Sequence, residues 1–338
     1  MKSMRLFAGL LALFGVATAC NAAAADPRPD FEDVAYAPAQ PAGSVGHLLD
    51  IYLPKSAEKP SPVVIWTSGS AWRGDAGRTR GEWLVSQLLP RGYAVVGVSI
   101  RSSSQAQFPA QLHDIKAAIR FLRVNAKRYG LDTDHIAIIG TSSGAWAASM
   151  AAVTGGRADL EGDVGVSGAS SAVSAAIAFW PPTNFVTMDA WAVKPCKQIE
   201  YRGAPGFCHD DADSPESSLV GCAIQSCPDR VRAASPLAYV SPRSPPILIV
   251  HGQSDALVNH NQGESLYQAY NKACADAVFY SVPKLGHGQF PEVLTDAKLV
   301  EGASRRSTSS AGCAVELPQP ATLDGNVVFQ FLAAHLKR

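Results

Sequence analysis

The sequence predicts an α/β fold in which helices cover both faces of a doubly wound, mostly parallel β-sheet. Short apolar runs recur along the chain and alternate with segments of helical character. This alternation is typical of parallel sheets, because parallel neighbours need a long crossover connection that is usually a helix. The chain has 338 residues and 47% of them are hydrophobic, so it can supply the apolar side chains of a large core.

Seven strands are predicted from the apolar runs. Each run is short and rich in β-branched, aliphatic or aromatic residues, and helical segments lie between most of them. The predicted strands are His47–Tyr52, Val63–Thr67, Tyr93–Ser99, Ile136–Ile139, Ala175–Phe179, Ile247–Val250 and Val278–Val282.

The clearest helix is predicted over Ala110–Ala126. Within Leu112–Leu122, apolar residues recur at intervals of three and four, so they share one face of a helix. The basic residues Lys116, Arg120 and Arg123 fall outside that face and are expected to point to water.

The chain begins with a predicted signal peptide at residues 1–25. Lys2 and Arg5 supply its positive start, and the apolar run Leu6–Ala19 is too short to span a bilayer. Small residues then lead to a cleavage site. An alternative is lipidation of Cys20, which would anchor the protein to a membrane. Both interpretations predict export, either to the periplasm or out of the cell.

The mature chain is predicted to contain a loose arm at residues 26–42 and one large domain at residues 43–338. The segment Val186–Ala234, called the insertion below, interrupts the alternation and is too long for a plain connection. It follows the predicted strand Ala175–Phe179, at the edge of the sheet where ligands bind in doubly wound folds. We therefore expect the insertion to form a cap beside the functional site.

The cysteines predict disulfide bonds. Setting Cys20 aside, six of the seven cysteines remain, and an even number in an exported chain favours disulfides over metal ligands. Six cysteines allow fifteen connectivities, which the sequence leaves open. The favoured pairs are Cys196–Cys208 and Cys222–Cys227 inside the insertion, and Cys274–Cys313 outside it.

The charge composition argues against nucleic acid as a partner. The chain has 29 basic and 29 acidic residues and lacks a cluster of Lys or Arg. The acidic run Asp210–Asp213 is interpreted as a solvated loop rather than as a calcium site. No metal or cofactor is expected, and no apolar run after the signal peptide is long enough to cross a bilayer.

A candidate nucleophile lies in the G-x-S-x-G pattern Gly140–Gly144. The pattern follows the predicted strand Ile136–Ile139 and precedes an alanine-rich helical segment, Ala145–Ala152. A serine at such a sharp turn is forced outward, and the two glycines relieve crowding around its strained backbone. The context favours Ser142 as a nucleophile over a serine-rich turn without a role.

A nucleophilic serine needs a base, and the base needs a carboxylate to orient it. Asp255 and His287 each follow a predicted strand late in the chain, and the order Ser, Asp, His is typical of α/β-hydrolases. We therefore predict His287 as the base and Asp255 as the acid. The alternative base is His251, and the alternative acids are Glu264 and Asp276.

An oxyanion hole is predicted beside the nucleophile. The backbone N–H of Ser143 is one expected donor, because it directly follows the nucleophile. The loop Ser68–Trp72 follows an early strand and resembles the H-G-G-G-W loop of esterases, with Ser and Ala in place of its His and two of its glycines. Gly69 permits an unusual turn, and Ser70 and Ala71 are the expected donors.

These motifs together resemble the α/β-hydrolases related to hormone-sensitive-lipase-type esterases, and specifically the feruloyl-esterase-like branch labelled BD-FAE. The resemblance implies hydrolysis of carboxylic esters through an acyl-enzyme, without a cofactor. The matching stretches, which cover most of the chain from about Val45 to Gln289, are Phe108–Ala118, Gly140–Gly144, Pro182–Phe185, Ser214–Gly221 and Pro246–Val258.

The sequence therefore predicts a secreted serine esterase for short or aromatic acyl groups, acting on a small-molecule or polymer-linked ester. Trp72, Trp180 and Trp191 are candidate walls of its pocket, although most tryptophans in such domains belong to the core. Two alternatives are a serine peptidase of the same fold and a non-catalytic binding protein on a hydrolase fold. The sequence does not predict the oligomeric state.

Overall fold

The computed structural model describes residues 27–55, 60–199 and 207–336. The predicted signal peptide, residues 1–25, and its alternative lipidation site Cys20 lie outside the described residues. Across the described ranges, every helix is too short or too polar to cross a membrane.

The described residues form one sheet of ten strands in the order β1-β2-β4-β3-β5-β6-β7-β8-β9-β10. The six strands from β4 to β8 in this order are parallel, and antiparallel strands flank them on both sides. The carboxyl ends of the parallel strands therefore meet at one edge. The strands are β1 (Phe31–Ala35), β2 (Leu48–Tyr52), β3 (Ser61–Thr67), β4 (Ala94–Val98), β5 (Leu131–Thr141), β6 (Ala175–Phe179), β7 (Ile247–Gly252), β8 (Ala277–Val282), β9 (Ser304–Ser309) and β10 (Ala314–Pro320).

Eight α-helices connect or flank these strands in the described part of the chain. Four of them are long enough to cover the sheet, and two short ones lie in the insertion. The helices are α1 (Glu82–Leu88), α2 (Ala110–Val124), α3 (Ala126–Tyr129), α4 (Ser143–Val153), α5 (Pro215–Val220), α6 (Pro228–Ala233), α7 (Asn261–Lys272) and α8 (Gly325–His335).

Two apolar cores pack on opposite faces of the sheet. Along β3, Val63 and Ile65 belong to one core, whereas Val64 and Trp66 belong to the other, because side chains alternate along a strand. Helices α2, α4 and α7 contribute to the first core, and α1 and α8 contribute to the second. The prediction of a mostly parallel sheet is confirmed, and helices pack on each of its faces.

All seven predicted strands are present, but three further strands were not predicted. Strand β1 lies inside residues 26–42 and pairs antiparallel with β2, so the prediction of a loose arm is wrong for Phe31–Ala35. Strands β9 and β10 extend the other side of the sheet. These strands are polar or exposed and are held largely by backbone hydrogen bonds, so they lack the apolar run that marks a buried strand.

The prediction that the basic residues of α2 point to water is wrong. Lys116 and Arg120 are almost fully buried, and Arg123 is half-buried. Lys116 donates to the carbonyl of Thr154 at 2.7 Å, and Lys116 and Arg120 both pair with Glu161. The segment after α4 folds across these side chains and supplies the carboxylate and carbonyls that a buried cation requires.

The three predicted disulfide bonds are confirmed. Cys196–Cys208 and Cys222–Cys227 lie within the insertion. Cys274–Cys313 joins the end of the α7 segment to the turn between β9 and β10. Two covalent links therefore stiffen the insertion, and the third ties a polar edge of the sheet to the core.

Candidate active site

Ser142 occupies the sharp turn between β5 and α4. Its φ of 53° and ψ of −125° are costly for a residue with a side chain. A Cβ added at Gly140 would lie 2.2 Å from the carbonyl oxygen of Gly144, and one added at Gly144 would lie 2.2 Å from that of Thr67. Both glycines are therefore required for the backbone to approach itself this closely, as the pattern predicts.

The three residues predicted as nucleophile, base and acid form one chain of hydrogen bonds. His287 Nε2 lies 3.0 Å from Ser142 Oγ, and His287 Nδ1 lies 2.8 Å from Asp255 Oδ2. Asp255 is fully buried. This geometry suits an imidazole that carries its proton on Nδ1 and accepts the serine proton at Nε2.

The surroundings of Asp255 favour its ionised form. Its Oδ1 accepts backbone N–H groups from Leu257 at 3.0 Å and Val258 at 2.8 Å. Burial alone would raise the pKa of Asp255. The nearby imidazoles of His287 and His251 lower this pKa by more than burial raises it, so the net pKa of Asp255 lies below the ordinary value. A carboxylate that stays ionised can hold His287 in one tautomer.

The residues considered as alternative base and acids make other contacts. His251 is fully buried, and its Nε2 lies 2.8 Å from the carbonyl oxygen of Val258. Glu264 forms an ion pair with Arg306 on β9. Asp276 accepts hydrogen bonds from the residue that follows β9. His251 nevertheless approaches the Asp255 carboxylate at 3.6 Å, a contact that sequence reasoning missed.

The loop after β3 lies against the start of α4, but its amides are used differently from the prediction. The N–H of Ser70 donates to Oγ of Ser143 at 2.9 Å, and the N–H of Gly69 donates to Oγ1 of Thr141 at 3.1 Å. Among the described residues, the N–H groups of Ala71 and Ser143 have no acceptor. The N–H of Ser70, in contrast, already has a hydroxyl acceptor.

The glycine of this loop is needed for close approach rather than for its backbone angle. A Cβ at Gly69 would lie 2.5 Å from the Cβ of Ser142. The unusual turn falls instead on Ala71 and Trp72, whose φ values are 52° and 54°. Positive φ is unfavourable at both residues, so the surrounding packing must hold the loop in this shape.

Ser142 and His287 border a cavity of about 470 Å³ at the carboxyl edge of the sheet. The insertion contributes to this cavity through residues on both sides of its undescribed part. Aromatic side chains from four different segments form much of its wall. These aromatic residues are Trp66, Trp180, Phe207 and Phe290, and the other lining residues from the insertion are Ile199, His209 and Pro215.

One of the three tryptophans predicted as pocket walls lines the cavity. Trp180 does so, directly after β6. Trp72 is instead buried in the core, where its ring packs edge-on against Trp146 and Phe185 at 5.5 and 5.6 Å. Trp191 lies at the surface with 37% of its area exposed. Trp72 is therefore part of the core. The sequence pattern did not indicate how deeply the side chains of Trp72 and Trp191 are buried.

His209 links the insertion to the loop that carries the acid, and sequence reasoning missed it. Its Nδ1 lies 2.9 Å from Glu216, and its Nε2 lies 3.0 Å from the carbonyl oxygen of Leu257. Burial lowers the pKa of His209, but Glu216, Asp189 and the Leu257 carbonyl raise it by more, so its net pKa is above the ordinary value. A protonated His209 can donate to both partners.

A family model named BD-FAE matches residues 49–270, well over half of the chain. The chain belongs to the BD-FAE family. A truncated carbohydrate esterase from gut microbiota is 34% identical with a TM-score of 0.63, over 76% of this chain and 88% of that one. The bifunctional GH43-CE protein of Bacteroides eggerthii is also 34% identical with a TM-score of 0.68, over 78% of this chain and 36% of that one.

Curated relatives of this BD-FAE chain are named as esterases. Esterase LipC of Mycobacterium tuberculosis is 26% identical over 71% of this chain and 56% of its own length. Esterase LipQ of the same organism is 28% identical over 76% of this chain and 56% of its own. The chain thus spans about half the length of the curated relatives it matches. The predicted resemblance to the BD-FAE branch is confirmed.

Proposed function

We propose that this protein is a carboxylic-ester hydrolase that forms an acyl-enzyme on Ser142. The observation that carries the proposal is the hydrogen-bonded chain from Ser142 through His287 to Asp255, which opens onto the aromatic cavity. The strained backbone of Ser142 supports the same function, because strain of this size persists where the surroundings are built to hold a nucleophile outward. The esterase names of the relatives agree with it.

In this mechanism, His287 removes the proton of Ser142 through Nε2 as Oγ attacks the ester carbonyl. Asp255 stabilises the positive charge that develops on the imidazole. His287 then donates the proton to the departing alcohol. Water enters, loses a proton to the same nitrogen and attacks the acyl-enzyme, which releases the acid and restores the free serine.

The charge that develops on the carbonyl oxygen requires backbone donors. We assign this role to the N–H groups of Ala71 and Ser143, for which the described residues supply no acceptor. The N–H of Ser70 becomes a third donor if the Ser143 hydroxyl rotates away from it. The hydroxyl of Ser143 therefore decides how many donors the loop presents.

The size and lining of the cavity support a substrate with a short or aromatic acyl group, in a small-molecule or polymer-linked ester. Its volume is about 470 Å³, and Trp66, Trp180, Phe207 and Phe290 provide flat apolar surfaces. Sugar rings and aromatic acyl groups both pack well on such surfaces. A carbohydrate-linked ester is supported further by the similarity to a carbohydrate esterase that is aligned over most of its length.

We also propose that the protein is exported, with residues 1–25 as the signal peptide, residues 43–338 as one domain and the insertion as its cap. Three disulfide bonds support an oxidising compartment. The intact mass and N-terminal sequence of the protein isolated from its host test this proposal. A chain that starts after Ala25 supports cleavage, whereas a diacylglycerol adduct on Cys20 supports lipidation.

The proposed activity is tested with p-nitrophenyl acetate and mass spectrometry. Brief exposure should release p-nitrophenol and leave an acetyl group on the peptide that contains Ser142. A matched anilide tests the serine peptidase alternative, and hydrolysis of the anilide with comparable efficiency would favour a peptidase. Absence of both turnover and adduct would favour the non-catalytic binding protein.

A further inference from the structure

The cavity that contains Ser142 is lined by two arginines and by no carboxylate among its described lining residues. The arginines are Arg73 and Arg80, and both side chains are exposed. The chain as a whole has 29 basic and 29 acidic residues, so this excess of positive charge is local to the cavity. An uncompensated positive cleft attracts anions, because its low-dielectric walls concentrate the field.

Arg80 presents an unpaired guanidinium on one wall. In the described part of the chain, that group makes no ion pair or hydrogen bond, and the carboxylate of Glu82 accepts the backbone N–H of Arg80 instead. The φ of Arg80 is 65°, an unfavourable backbone angle for a residue with a side chain. The carbonyl of the preceding Thr79 accepts from Trp66 Nε1 at 2.8 Å. The wall around Arg80 is therefore held in place without neutralising its charge.

Arg73 lies against the insertion on another part of the lining. Its Nη2 donates to the carbonyl oxygen of Asp213 at 3.2 Å, and its guanidinium carbon lies 5.6 Å from the ring centroid of Phe207. Both contacts position the guanidinium, but neither supplies a negative charge. The two histidines in the lining, His209 and His287, each have a carboxylate partner, Glu216 and Asp255 respectively. Arg73 and Arg80 are thus the cations of the lining that lack an anionic partner.

We propose that the ester substrate of this site carries a separate carboxylate group, which Arg73 and Arg80 bind. The proposal rests on the proposed esterase function and specifies its substrate class. A guanidinium matches a carboxylate with two parallel N–H donors, and this fit favours a carboxylate over a neutral hydroxyl at the same place. The aromatic walls pack the apolar or sugar part of the substrate, and the arginines select its charge.

The carboxylate can belong to either product of the reaction. On the acyl side it makes the substrate a half-ester of a dicarboxylic acid. On the alcohol side it makes the substrate an acylated uronic acid sugar. Two matched pairs separate these sources. The acyl pair is the p-nitrophenyl half-ester of glutaric acid against p-nitrophenyl pentanoate, and the alcohol pair is acetylated methyl glucuronide against acetylated methyl glucoside.

The experiment measures kcat/KM for each pair at low and high salt. The wild-type protein should prefer the anionic member of at least one pair, and the double variant R73Q/R80Q should reduce that preference about tenfold. The loss of kcat/KM on the anionic member should exceed the loss on the neutral member, because the neutral ester has no carboxylate for the guanidinium groups to bind. Salt should reduce the wild-type preference and leave the double variant unaffected. R73K and R80K should recover part of the preference.

The control is Arg243→Gln, an exposed arginine before β7 at the opposite edge of the sheet. It should leave both pairs unchanged. Equal rates on both members of both pairs, or an unchanged preference in the double variant, would overturn the proposal. These outcomes leave the esterase function intact, because neutral esters would still be cleaved through Ser142. Failure of the esterase function has a different signature, in which no ester of either pair is cleaved.

Discussion

His287 Nε2 lies 3.0 Å from Ser142 Oγ, although 145 positions separate the two residues in the chain. If this contact activates the serine, Ser142→Ala should lower kcat for p-nitrophenyl acetate about 10⁶-fold. The fold should be preserved, because alanine removes only the hydroxyl. Circular dichroism and steady-state kinetics on the same preparation measure both effects.

The matched control for that prediction is Ser149→Ala, in helix α4, which begins directly after Ser142. The hydroxyl of Ser149 donates to the carbonyl of Ala145 at 2.7 Å, within the helix itself. This variant should keep most of the activity. Retention of a tenth of wild-type activity by pure Ser142→Ala would refute the assignment of the nucleophile.

Gly69→Ala should disrupt the candidate oxyanion hole. The new Cβ would lie 2.5 Å from the Cβ of Ser142 and 2.6 Å from the carbonyl oxygen of Thr141, so the loop would have to move away from the nucleophile. Displacing the loop N–H donors should lower kcat about 10²- to 10³-fold. Gly74→Ala is the control, since its Cβ would make only an ordinary contact of 3.5 Å with Ser70. Similar rates for both variants would contradict the placement of the hole.

The contact between His209 and the acid-bearing loop should make stability depend on pH. The pKa of His209 is raised in the folded protein, so its stabilisation is complete below about pH 6.5, the ordinary imidazole value, and is lost as pH rises through the raised pKa. The difference in Tm between wild type and His209→Gln should therefore shrink between about pH 6 and pH 9. Glu216→Gln, which removes the partner, should weaken the same dependence. A Tm difference that grows with pH would contradict this assignment.

The buried carboxylate of Asp114 should be essential for stability. It accepts hydrogen bonds from Arg101 Nε at 2.9 Å and Nη2 at 2.8 Å, and it pairs with His47 at 3.0 Å. Asp114→Asn leaves the arginine without its anion, and this should cost about 3–5 kcal/mol of unfolding free energy. Asp159→Asn is the surface control, because the pair with Arg157 is exposed to solvent and should contribute little to stability. Urea denaturation of both variants gives the comparison.

The disulfide Cys196–Cys208 should restrict the acyl group. It closes a loop of the insertion that borders the cavity through Ile199 and Phe207. The double variant C196S/C208S should lose about 3 kcal/mol of stability and should hydrolyse octanoyl esters better relative to acetyl esters. C274S/C313S, whose bond lies at β9 and β10, should be destabilised without this shift in selectivity. An unchanged octanoyl-to-acetyl ratio would show that the cap does not define the acyl site.

Much of the fold could be predicted from residue patterns, because the composition of a short segment indicates whether it forms a buried strand or a tight turn. The strands β3 to β8 are apolar runs, and a strand buried on both faces must be apolar throughout. The turn at Ser142 required glycine on both sides for steric reasons that any backbone of this shape shares. The three disulfide pairs that were favoured are also present, although the sequence left their connectivity open.

Some residues of the candidate site could also be predicted from the sequence, and others could not. Ser142, Asp255 and His287 were predicted from their order and their places after strands, and the structure brings them within hydrogen-bonding distance. Their catalytic roles stay predictions. Trp72 was misjudged, because an aromatic side chain beside a site fits a pocket or the core equally well until its neighbours are known.

The sequence by itself determined where the buried strands lie along the chain, the elbow at Ser142 and the chain order of the candidate site. Only the tertiary structure decided which polar groups meet across the chain. Lys116 is buried because Glu161 and Thr154 cover it, and Ser70 gives its N–H to a hydroxyl 73 residues away. The physical reason is that apolar burial follows local composition, whereas a buried charge or amide is stable only if a distant segment supplies its partner.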